Sequence, residues 1–143
     1  MYHDYVITQL QGVHMDLPDF MVNVHQINNK KDAENYIIRL SKFNNKFEQL
    51  LEQLALREER DIIPPRFAVE KALKQTSDFV KDSASKNILY TSFISKTDTL
   101  KNIDEQEKKD LQARALEQVE KSVYPSYRKL EKHLEHRSEE HTS

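Results

Sequence analysis

Six apolar residues, Tyr36, Leu40, Phe43, Phe47, Leu50 and Leu54, recur at spacings of 4, 3, 4, 3 and 4. At 3.6 residues per turn that rhythm draws one apolar stripe along a helix, and no strand can use it. Ile37 and Leu51 widen the stripe to the width of a globular core face, while Lys46, Glu48, Glu52, Arg57 and Glu59 fall opposite. The width and the aromatic content favour an intramolecular core over a coiled-coil seam. The spacing predicts one long helix, or two helices meeting near Phe43-Asn44-Asn45. Asn29 is the expected N-cap, with Asp32 placed to favour the positive helix end.

Composition supports helices and excludes several chemistries. The 143 residues suffice for one domain and one modest core. A single glycine excludes glycine-rich phosphate loops and disfavours a turn-rich β-sandwich. The absence of cysteine excludes disulfides, thiolate metal sites and a cysteine nucleophile. A net charge of −2 gives no electrostatic footprint for nucleic acid. No apolar run reaches the roughly 20 residues of a membrane span.

Around the stripe, the chain divides into three expected parts. Residues 1–18 read as an irregular segment: Tyr5-Val6-Ile7 has β propensity without a partner strand, Gly12 permits a bend, and Leu17-Pro18 closes the segment. Residues 19–136 read as a helical partial domain. Asp19 to His25 suits one or two helical turns, and Ile62-Ile63-Pro64-Pro65 ends the striped helix. Pro65 then fits the first turn of the next helix, whose face is Val69, Leu73, Thr76 and Val80. Asp82-Ser83-Ala84-Ser85 reads as a loop, and Ile88 to Ile94 suits either a short helix or a buried extended piece. Asn102 with Glu105 reads as a capping box opening the last helix. The stripe of that helix is Leu116, Val119, Val123, Tyr127, Leu130 and Leu134, with a kink or break expected at Pro125. The fold class is all-α: several amphipathic helices forming an incomplete helical scaffold.

Residues 137–143 are the third part. Arg137-Ser138-Glu139-Glu140-His141-Thr142-Ser143 resembles the in-frame translation of a short-read sequencing adapter, AGATCGGAAGAGCACACGTCT, in all seven codons. This segment is therefore read as an adapter-derived disordered tail and set aside from fold reasoning. Without it the chain has 21 basic and 22 acidic side chains, so the charge argument stands. His133, His136 and His141 with Glu139 and Glu140 suggest a metal cluster, but their order is neither HExxH nor its inverted form. No metal ligand is assigned.

Four ordered landmarks carry a family resemblance. They are Gln9-Leu10-Gln11-Gly12-Val13-His14-Met15-Asp16-Leu17-Pro18-Asp19-Phe20, Asp32-Ala33-Glu34 through Arg39-Leu40, Ile62-Ile63-Pro64-Pro65-Arg66, and Val123-Tyr124-Pro125-Ser126-Tyr127-Arg128. From Gln9 to about Glu135 the chain resembles the bacterial domain-of-unknown-function 885 family. The resemblance implies a predominantly helical protein several hundred residues long, similar to zinc-dependent metallopeptidases of the HExxH class. In that class two histidines one helical turn apart hold zinc, and the motif glutamate is general base for the zinc-bound water. No HExxH occurs from Met1 to Ser143. The resemblance therefore implies an upstream-middle piece without catalytic residues, with zinc and peptide substrate belonging to the full-length parent. Its partner is the missing remainder of that chain, and its true N-terminus and localisation stay open.

Gln9, His14 and Asp16 lie in the most distinctive landmark and are the candidates for a substrate-cleft wall. The competing reading is a turn at Gly12, with His14 and Asp16 satisfying local backbone groups. Tyr124 and Tyr127 flank Pro125 and read as packing around the kink. Two further functions compete with the fragment: a self-contained helical protein-interaction module, and a small metal-binding protein using the C-terminal histidines.

Overall fold

The structure, a computed structural model, describes residues 13–142, with side chains as far as residue 139. Two prolines that the sequence casts as breakers lie inside helical runs. Pro18 sits within α1, which is helical over residues 13–19 and passes into a single π-helical turn, Phe20–Val24. Pro125 sits at the start of α7 (Tyr124–Thr142), which follows α6 (Glu105–Gln118) through a second π-helical turn, Val119–Val123. A proline has no N–H to give the carbonyl four residues back, and its ring crowds that carbonyl. A π turn lengthens the ladder by one residue and relieves the crowding. The chain at Pro125 therefore bulges and continues.

Between these runs lie α2 (Lys30–Ser41), α3 (Phe43–Glu59), α4 (Arg66–Phe79), a 3-10 turn at Ala84–Lys86, and α5 (Ile88–Asp98). Among the described residues there is no strand, so the all-α expectation holds. The segment Tyr5-Val6-Ile7 lies outside the described residues. Residues 13–18 are helical, which corrects the irregular reading of that stretch. The orphaned acceptor at Pro18 is supplied from elsewhere: Tyr127 Oη donates to the His14 carbonyl at 2.7 Å. Helix α7 also runs through the tail to Thr142. Glu58 near the end of α3, its side chain largely buried, anchors that end. It accepts from His133 at 2.9 Å and lies 2.8 Å from Arg137 Nε.

The caps show what ends each element. Asn29 accepts from the Asp32 amide at 2.8 Å, as the sequence indicates. The last long run starts two residues later than Asn102 suggests, because Asp104 is its cap and accepts from the Glu107 amide at 2.7 Å. Asn87 caps α5 through Leu89, which resolves Ile88 to Ile94 as helix. The stripe from Tyr36 to Leu54 breaks at Lys42, one residue before the expected join; Lys42 keeps helical torsion angles. Pro65 immediately precedes α4 and lies outside its first turn.

Helix α3 stops at Asp61 and not at the prolines. Asp61 has φ of 60°, the Ile62 amide bonds the Arg57 carbonyl at 2.8 Å, and the Asp61 amide bonds the Glu58 carbonyl at 3.0 Å. This is a Schellman cap with aspartate where glycine is usual.

Both apolar stripes close on each other. Tyr36, Leu40, Phe43, Phe47, Leu50 and Leu54 are all buried, as are Val119, Val123, Tyr127, Leu130 and Leu134. Helix α7 packs along α4 and α3, and α6 packs on α2 and α5. Two aromatic groups centre the core. Tyr36 lies 5.1 Å from Phe93, while the Tyr127 ring lies 4.7 Å from Phe47 and 4.5 Å from Phe79. Each such side chain contributes about 1.5–3 kcal/mol by leaving water, largely offset by the entropy of ordering the chain.

Two substitutions test these assignments. Tyr127→Phe keeps the ring and strands the His14 carbonyl. It is expected to cost about 1–3 kcal/mol in urea unfolding, with hydrogen exchange rising first in α1. Asp61→Gly removes the left-handed penalty on a side-chain-bearing residue and is expected to stabilise by about 0.5–1 kcal/mol in the same assay.

Candidate functional site

Of the residues marked by the sequence, His14 and Asp16 lie on α1 and face different ways. Gln9 lies outside the described residues. His14 is 1% exposed, and its Nε2 donates to Gln75 Oε1 on α4 at 2.8 Å. Asp16 is exposed, as expected two residues further round the same helix. His14 also lines a shallow depression of about 270 Å³ with Met15, Pro18, Val22, Phe79 and Ile88. That wall is apolar, and it brings no second titratable group to His14 beyond Asp19, whose carboxylate accepts from Asn23 Nδ2 at 2.7 Å.

Tyr124 and Tyr127 serve packing. Tyr127 is fully buried, and burial raises its phenol well above the ordinary value. Tyr124 Oη donates to the Asp82 carbonyl at 2.7 Å. Tyr36, raised likewise by burial, donates to the Leu89 carbonyl at 2.7 Å.

The densest polar cluster is one the sequence reading missed. It sits where the π turn of α1 meets α2 and α5. Lys96 Nζ donates to the carbonyls of Met21, at 2.8 Å, and His25, at 2.6 Å, and so caps the turn. Burial lowers the Lys96 ammonium. His25 Nε2 bonds the Asp32 carbonyl at 3.0 Å, and Arg39 Nη1 meets His25 Nδ1 at 3.0 Å. A carbonyl only accepts and a guanidinium only donates, so Nε2 carries the proton and Nδ1 is a lone pair. The geometry therefore selects neutral imidazole. Burial is the main cause lowering its pKa, and Arg39 and Lys96 push the same way; the Asp32 carbonyl and carboxylate oppose them. The one available sequence signal was Lys96 itself, the only cation between Asn87 and Thr97.

The described residues do not build a zinc site. No group of three or more His, Asp or Glu side chains among them is disposed to hold a metal ion. His133 is bonded to Glu58, His136 is exposed, and the side chain of His141 lies outside the described residues.

Fold and site thus define a helical scaffold with a structural polar cluster. The chain belongs to the DUF885 family, bacterial proteins of unknown function, whose profile matches residues 1–143. No curated protein matches it. Among solved structures it is similar to "The crystal structure of the putative lipoprotein from Colwellia psychrerythraea", with a TM-score of 0.86 and 25% identity. The match covers 88% of this chain and 22% of that one. The chain therefore spans about a fifth of that protein's length. No helix among the described residues is long and apolar enough to cross a membrane.

The His25 cluster gives a pH test. A histidine with a folded-state pKa below 6.5 binds its proton more readily when unfolded. Its contribution to stability is complete above pH 6.5 and declines as pH falls from there toward the folded-state value. Urea melts at descending pH are expected to show this loss in the wild type. In His25→Gln, where the other histidines contribute equally, the difference between the two proteins should shrink on acidification. A difference that does not change with pH would place the imidazole charge outside the stability balance.

Proposed function

We propose that this chain is a non-catalytic scaffold and cleft-wall segment of a larger zinc-dependent metallopeptidase-like protein, whose activity is peptide hydrolysis by metal-activated water. The observation that carries the reading is the asymmetry of the structural match: nearly all of this chain corresponds to about a fifth of a much longer one. Family membership supports it, as does the absence of HExxH from the sequence. In this reading α1 contributes Asp16 and the depression beside His14 to a wall, and Tyr127 fixes that wall to the core. Zinc and its ligands belong to other parts of the parent.

One observation favours the alternative, a self-contained helical protein-interaction module. The stripes are matched within the chain, so the core does not require a missing partner to close.

The two readings part at the gene and at the bench. Long reads across the codons for His136 and Arg137 are expected to continue past His136 into a segment bearing HExxH. The protein expressed from that longer frame is expected to hold zinc by elemental analysis and to cleave a peptide library, while the 143-residue chain does neither. A frame that ends after Ser143, or zinc-dependent hydrolysis by the short chain alone, would overturn the scaffold reading. The first of these outcomes supports the module.

A further inference from the structure

A cup outside the His14 wall combines an apolar floor with a basic rim. Its floor is Leu17, Phe20, Met21 and Phe43, from α1 and the start of α3, and it encloses about 210 Å³. Its rim is Arg39, Lys42 and Lys46. Spacings of three and four put these cations on one face, and the helical torsion angles of Lys42 carry that face across the α2–α3 join.

The rim cations differ in what holds them. Arg39 is engaged as part of the wall, with its guanidinium 4.7 Å from the centre of the Phe20 ring and bonded to His25. Neither Lys42 nor Lys46 meets a carboxylate among the described residues. Four acids on α1, α2 and α3 are held elsewhere. Glu34 reaches Arg114, Glu48 reaches Lys129, the Asp32 carboxylate accepts from the Asn28 amide, and Asp19 holds Asn23. In a protein with a net charge of −2, this face is positive above an apolar hole.

We propose that this cup binds an amphiphilic carboxylate, with a short apolar group against Phe20 and Met21 and the carboxylate between Lys42 and Lys46. The volume sets the ligand size: it lies below the roughly 300–1,000 Å³ of drug-sized pockets, so a fragment of several carbons fits and a long acyl chain does not. The apolar floor supplies the burial, and the two ammonium groups supply the preference for an anion. The same chemistry is presented by a free medium-chain alkanoate and by the C-terminal residue of a polypeptide ending in an apolar side chain.

The test uses the 143-residue chain, isotope-labelled, titrated with octanoate, with N-acetyl-leucine and with octanol as the neutral control. The expected result is saturable NMR shifts at Leu17, Met21 and Phe43 with at least one carboxylate, and weaker binding of octanol. Binding by octanoate alone identifies the free alkanoate as the source; binding by N-acetyl-leucine identifies the chain terminus. Lys42→Glu combined with Lys46→Glu is expected to weaken binding about tenfold or more, and raised salt to weaken it in the wild type. Both lysines are exposed, so the far-UV spectrum and Tm of the variant should match the wild type. Phe20→Ala removes one wall without touching the charge and should also weaken binding. Shifts absent with both carboxylates, equal binding of octanol, or undiminished affinity in the double lysine variant would overturn the proposal.

Discussion

One hydroxyl settles how the N-terminal part of the described chain is held. Pro18 denies the His14 carbonyl its helical donor, and a buried carbonyl without a partner costs about as much as a typical point mutation removes. Tyr127 Oη fills that vacancy from the far end of the sequence at 2.7 Å. The same ring lies between Phe47 of α3 and Phe79 of α4. Tyr127 thus ties α1, α3, α4 and α7 through one side chain. A different ring orientation would lose the hydrogen bond and both aromatic contacts together. The depression beside His14 has its shape because α1 is fixed at this point.

The stripes were legible because periodicity reports burial directly. Every residue of the stripe from Tyr36 to Leu54 is buried, and so is the later stripe from Val119 to Leu134, while Leu116 at its start is half-buried. Boundaries were legible only where the cap is local. Asn29 bonds its own helix three residues on, and sequence spacing finds that arrangement. The cap at Asp104 competed with an equally spaced pair, Asn102 and Glu105, and spacing alone cannot rank two such pairs. Proline misled for a different reason. Its local effect is to break a helix, and that effect was overruled at Pro18 by a hydroxyl 113 residues from the His14 carbonyl it bonds and at Pro125 by a π turn. Long-range compensation leaves no trace in a local pattern.

The candidate sites divide along the same line. His14 was noticed for its motif, yet its ring faces the core and Gln75, while Asp16 faces water. Helical geometry separates residues two apart, and that separation became predictable only once the segment was known to be helical. The cluster around His25 joins side chains from α1, α2 and α5 that no motif links. Arg39, Lys42 and Lys46 have helical spacing, and the sequence holds them in plain view. Their significance depends on where Glu34 and Glu48 point, which is a tertiary fact.

A closed core changes what the rest of a longer protein has to do. If the stripes were open, the remainder would be needed to fold this part at all. They are closed, and the large apolar side chains left outside are Met15, Phe20, Val24, Ile38, Leu56, Phe67 and Ile88. Those are not spread evenly. Met15 and Ile88, 46% and 49% exposed, share the depression beside His14. Leu56 and Phe67, 50% and 69% exposed, flank the turn that joins α3 to α4. Single exposed hydrophobics are ordinary on any surface, but pairs placed at a depression and beside a turn are where burial by another chain segment would gain most. In the proposed scaffold reading, these two pairs are where another segment gains most by packing, and the basic cup between α1 and α3 stays open to a ligand.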